Sequence, residues 1–144
     1  CRQIGIPDMH LARPDHPLAG AGHANAVDRA RFPWVVARPD TPHHRHWRLM
    51  FEDQHVPAPA NPIICGSVMA VRELLEQGDY LALLSREQAE RPVQVGHLVR
   101  IGPPVEATRR PIGLTIRSGV RPTPLQRTMH DLVRDVAAER SSRN

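Results

Sequence analysis

The sequence predicts an α/β fold with a largely parallel sheet, and three observations predict it. Apolar runs of strand length (Trp34 to Ala37, Ile63-Ile64, Tyr80 to Leu84, Leu98 to Ile101) alternate with segments of helical period. Fifteen prolines in 144 residues cut the chain into many short elements. No internal repeat or low-complexity tract interrupts this pattern.

The elements follow in order. Met9 to Arg13 reads as a strand halted by Pro14, which lacks the amide a ladder needs. Asn25, with Asp28 three residues on, opens a short helix that Pro33 stops. Trp34 to Ala37 is a strand. Thr41-Pro42 is a cap followed by a proline suited to the first helical turn. The helix it opens sets Trp47, Met50 and Phe51 on one face and ends before Pro57. Ile63-Ile64 is a strand, and a helix from Gly66 to Gln77 turns Val68, Val71, Leu74 and Leu75 inward. Gly78 suits the left-handed position after that helix. Tyr80 to Leu84 is apolar throughout, as strands buried on both faces are. Ser85 and Gln88 form a capping box. Leu98 to Ile101 and Ile112 to Ile116 are further strands. Thr123 and Gln126 form a second box, opening a helix with Leu125, Met129, Leu132, Val133 and Val136 on one stripe.

Composition narrows the function. Hydrophobic residues at 40% and charged residues at 24% support one domain of ordinary size. With two Phe, two Trp and one Tyr, the core is expected to be mainly aliphatic. The net charge of +4 is dispersed along the chain, so direct nucleic-acid binding is not expected. All nineteen basic residues are Arg, which excludes a Walker A lysine, a pyridoxal-phosphate Schiff base and a Ser-Lys nucleophile. Cys1 and Cys65 are too few for a disulfide scaffold and point to a reducing compartment. No run approaches the roughly 20 apolar residues of a membrane span.

Four stretches carry a resemblance. They are Leu11-Ala12-Arg13-Pro14-Asp15-His16-Pro17-Leu18-Ala19, Ala30 to Val36, Gly78 to Arg86, and Arg110 to Arg117 with Pro122-Thr123-Pro124. In this order and spacing, the chain from about residue 9 to 136 resembles the effector-binding domain of LysR-type bacterial transcriptional regulators. The resemblance implies a periplasmic-binding-protein-like type II fold, two α/β lobes around a cleft. Residues 15–102 would be a complete second lobe. Residues 1–14 would be a first-lobe strand and crossover, and 103–144 the return crossover, strand and last helix of that lobe. The remainder of the first lobe and the winged helix-turn-helix would lie outside this chain, which has no initiator Met. The resemblance further implies a cytoplasmic effector sensor, not an enzyme, that needs no cofactor. It implies a homodimer or larger oligomer that meets DNA only through the missing part. The alternative is a stand-alone solute-binding module of the same fold.

The expected effector is a small organic anion, and the expected site is built on helix starts. Pro39, Asp40 and Thr41 follow one strand, and Gly66 and Ser67 follow another, where open sheets place ligands and free amides. Such termini favour anions by roughly 0.3–1 kcal/mol each. Arg109 and Arg110, before Pro111 near the return crossover, are candidates to pair with an effector carboxylate, with Arg110 the one expected in the site. The plainer reading is that Thr41 and Ser67 only cap helices and that Arg109 and Arg110 make surface salt bridges. Asp40 opposes an anion pocket unless it points away. His43, His44, His46 and His55 suggest a metal, but third and fourth ligands at suitable spacing are lacking, and a solvated basic helix face is preferred. Cys65, beside Ile63-Ile64, reads as a small hydrophobe, and Gly66-Ser67 lacks the second glycine of a nucleophile elbow.

Overall fold

The structure is a computed structural model that describes the backbone of residues 4–22, 24–112, 114–119 and 121–142, and their side chains except those of 4–6, 106, 107, 109–112 and 140–142. Its elements are β1 (Ile4–Ala12), α1 (Ala26–Ala30), β2 (Trp34–Val36), α2 (Pro42–Glu52), β3 (Ile63–Ile64), α3 (Val68–Gln77), β4 (Leu81–Ser85), α4 (Arg86–Gln94), β5 (Val99–Arg100), β6 (Val105–Ile112) and α5 (Pro124–Ser142). The strands form one sheet in the order β3-β2-β4-β1-β5, with β6 also paired to β1. By contacts the chain divides into two units, one built from Pro7–Thr108 and the other from the chain on either side of it. The expected limits of the second lobe, 15–102, lie inside the first of these units.

The sheet is mixed rather than largely parallel. β2 runs parallel to β3 and β4, whereas β1 is antiparallel to both β4 and β5. The parallel pairs are joined through helices, as parallel crossovers require. Strand direction across β1 is set by partners some 70 to 90 positions away, which periodicity does not encode.

Within the Pro7–Thr108 unit, alternation along the strands feeds two cores, one on each face. Met9 and Leu11 of β1, Val35 of β2, and Ala82 and Leu84 of β4 pack with Val71 and Leu75 of α3 and Ala89 of α4. The opposite set, Ala12, Trp34, Val36 and Leu81, packs with Ala26 of α1 and with Trp47 and Phe51 of α2. The first core is aliphatic as composition suggests. The second is centred on an aromatic trio: the Phe51 ring meets Trp34 and Trp47 edge-on at 5.8 Å, and the two indoles lie 6.3 Å apart. Four of the five aromatics, Phe32, Trp34, Trp47 and Phe51, gather at this core, while Tyr80 packs against the other.

Local signals translate directly. Asn25, Thr41, Ser67 and Ser85 each accept from the amide three residues on, with complete boxes at Asn25 and Ser85. Thr123 and Gln126 also exchange both box hydrogen bonds. Two expectations need correction. Gly78 is not left-handed: its backbone is extended at φ −159°, and an added Cβ would stand 2.8 Å from the half-buried Tyr80 ring, which would have to shift. The last strand spans Val105–Ile112 rather than Ile112 to Ile116, and residues 114–117 have no regular structure. The β-branched run misled because the strand is defined by its pairing with β1. On α5, Leu125, Met129, Leu132, Val133 and Val136 are 39–79% exposed.

Candidate functional site

The C-terminal ends of β2, β3 and β4 open onto one cavity. Val35 and Leu84 form part of its floor, where the sheet core reaches the surface. After β2 the chain turns through exposed Pro39 and Asp40 to Thr41. The Thr41 hydroxyl donates to the Arg38 carbonyl at 2.7 Å and accepts from the His44 amide at 3.3 Å. Thr41 is thereby the N-cap of α2, and Pro42 supplies the first helical position without an amide to leave unsatisfied. After β3, the Cys65 amide bonds the Val36 carbonyl at 2.8 Å, and the Ser67 hydroxyl accepts from Ala70 at 3.4 Å, capping α3.

The cavity is about 400 Å³, a size typical of small-molecule sites. Its polar lining comes from Arg38, Thr41, His43, Cys65, Gly66 and Gln88, with Val68, Val71 and Leu83 among the apolar walls. Among the described residues, no Asp or Glu lines it. Of the residues expected from sequence, Thr41 and Gly66 meet in this cavity. Pro39, Asp40 and Ser67 do not line it, and the Arg110 side chain lies outside the described residues. The Asp40 charge is therefore off the wall. Sequence reasoning missed Arg38, His43, Cys65 and Gln88. Arg38 could have been found as the cation just past a strand end, and His43 as the second residue of a capped helix.

The histidine run is not the solvated face expected from its composition. The Asp8 carboxylate, fully buried on β1, meets His43 Nε2 at 3.3 Å and His46 Nδ1 at 3.1 Å. The Asp8 amide donates to Thr108 Oγ1 at 2.7 Å. His44 packs on Trp47, with ring centroids 5.4 Å apart. His43 and His46 thus tie α2 to β1 through the Asp8 carboxylate, while His44 packs within the helix itself. Among the described residues, no group of three or more His, Cys, Asp or Glu is placed to hold a metal ion.

Comparison with known proteins decides the family. The model of the LysR substrate binding domain matches residues 7–138. The chain belongs to this family. Its fold is the periplasmic-binding-protein-like type II α/β fold of LysR effector-binding domains, and solved relatives share it. The CcmR regulatory domain of Synechocystis PCC6803, solved with 2-PG, is 18% identical with a TM-score of 0.73, over 93% of this chain and 64% of that one. The AmpR effector domain of Pseudomonas aeruginosa is 20% identical with a TM-score of 0.67, over 96% and 65%. The QuiR effector binding domain, solved with shikimate, is 12% identical with a TM-score of 0.67, over 96% and 66%. This LysR domain therefore spans just under two thirds of the length of these solved relatives. No curated protein sequence matches it. No described helix is long and apolar enough to cross a membrane.

Proposed function

We propose that this LysR domain is the effector sensor of a transcriptional regulator and binds a small organic anion, a carboxylate, in the cavity at Arg38, Thr41 and Gly66. The observation that carries the reading is that wall: a cavity of about 400 Å³ at the ends of three strands, with a guanidinium, a hydroxyl and an imidazole and, among the described residues, no acidic side chain. Neighbours of the same fold solved with 2-PG and with shikimate support a small-molecule effector. The Arg38 guanidinium offers paired donors to a carboxylate, and the apolar walls take the rest of the ligand.

In this reading the domain binds without chemical transformation and acts in the cytoplasm. It reaches DNA through a helix-turn-helix segment outside this chain, by shifting populations between states of an oligomer. Contact with a second copy of the chain would cover the five apolar side chains exposed on α5. Calorimetry against a panel of small carboxylates tests the site. Binding that weakens about tenfold or more in Arg38→Ala, the loss expected for a charge-assisted pair, supports it. Binding indifferent to Arg38→Ala and to Thr41→Val would refute it.

A further inference from the structure

A second cavity of about 350 Å³ lies in the Pro7–Thr108 unit, between α2, β1 and the β5–β6 connection. Two of its lining residues are buried polar groups without adequate partners. Arg29 is 8% exposed. Among the described residues its guanidinium meets the Met50 sulfur at 3.5 Å and the Ile101 carbonyl at 3.3 Å, and its Nε has no partner there. No ion pair of Arg29 is found among the described residues. His10 is 5% exposed, packs edge-on to Trp34, and has a buried Nδ1 without a partner among the described residues.

Both features carry a free-energy cost as they stand. A guanidinium has five N–H donors and no acceptor, and buried charges in folded proteins are nearly always paired. Thioether sulfur is a weak acceptor. Burial lowers the Arg29 pKa from its ordinary value, and the nearby Asp28 carboxylate offsets this only in part. Burial, and then the Arg29 charge, hold the His10 imidazole neutral down to about pH 3. A neutral imidazole carries one donor and one acceptor, so it can donate to an anion.

We propose that this cavity is a second ligand site, taking a small monocarboxylate with an apolar body. Arg29 and His10 receive the carboxylate, and Leu49, Met50, Pro103 and Val105 enclose the hydrocarbon part. One guanidinium matches one negative charge. A dianion such as phosphate is disfavoured, because Asp53 lines the same cavity and the buried Asp8 carboxylate acts on His10. The site is distinct from the cavity at Arg38, with which it shares no lining residue among the described ones.

The test is a titration of the 144-residue chain with benzoate, followed by NMR at the His10 ring and the Arg29 Nε–H, with benzamide and inorganic phosphate as parallel probes. Benzoate is expected to shift both signals saturably, in the wild type and in Arg38→Ala alike. The affinity should fall by about tenfold or more in Arg29→Gln, as loss of a charge-assisted pair implies. Because Arg29 also holds the chain at Ile101, a second variant protects the test: Leu49→Trp fills the cavity from the exposed side of α2 and should abolish the shifts in a folded protein. Absence of shifts with benzoate, equal shifts with benzamide or phosphate, or benzoate binding that survives Leu49→Trp would each overturn the proposal.

Discussion

Replacing Phe51 by Ala probes the core that carries α2, and through it both cavities. Phe51 is fully buried and touches both Trp34 and Trp47 edge-on at 5.8 Å. Truncation of a buried Phe costs about 3–5 kcal/mol, from lost transfer free energy and an unfilled cavity. Two edge-to-face contacts of about 0.5–1.5 kcal/mol each are lost with it, which places this site toward the upper end. Relaxation is limited, because the cavity would be walled by two rigid indoles. Phe51→Leu keeps most of the apolar volume and should cost about 1–1.5 kcal/mol. The assay is urea unfolding followed by tryptophan fluorescence. The two tryptophans of the chain both lie in this cluster, so the signal reports it directly. Leu125→Ala on α5, where the side chain is 79% exposed, is the control and should stay within about 0.5 kcal/mol. A Phe51→Ala loss below about 1.5 kcal/mol would refute the claim that the aromatic trio holds α2 to the sheet.

Other outcomes follow from the same contacts. His10 is held neutral in the fold down to about pH 3 but titrates near 6.5 when unfolded, so the unfolded chain binds the extra proton first. Stability should therefore be full above about pH 6.5 and fall as pH drops toward 3, with His10 contributing at most about 1.4 kcal/mol per pH unit. Arg29, Asp8, His46 and Asp53 surround it, so the discriminating measurement is the shallower slope of His10→Gln in urea unfolding across this window. Asp8→Ala removes the carboxylate that meets His43 and His46 and should cost about 2–4 kcal/mol, read as a lower urea midpoint. Ser85→Ala breaks the capping box of α4 and should cost about 1 kcal/mol by thermal or urea unfolding. If α5 is covered by a second copy of the chain, light scattering at micromolar concentration should give at least a dimer, and Leu132→Arg should shift it toward the monomer.

What the sequence by itself determined is what hydrogen bonds spanning three or four residues and short periodicities encode. The caps at Asn25, Thr41, Ser67, Ser85 and Thr123 are legible because donor and acceptor are sequence neighbours. The buried faces of α2 and α3 are legible because burial repeats with the helical turn. Of the candidate cavity, Thr41 and Gly66 alone were legible, for the same reason: they stand where strands end and helices begin. The tertiary structure alone decided the direction of β1, the position of β6 and the burial of the polar groups. Asp8 meets His46 across 38 positions, Arg29 meets Ile101 across 72, and Asp8 meets Thr108 across 100. A histidine or arginine has the same chemistry in any sequence. Whether it is solvated, as composition suggested for the histidine run, or buried against a carboxylate depends on which distant strand folds beside it, because desolvation and Coulomb energy depend on distance in space.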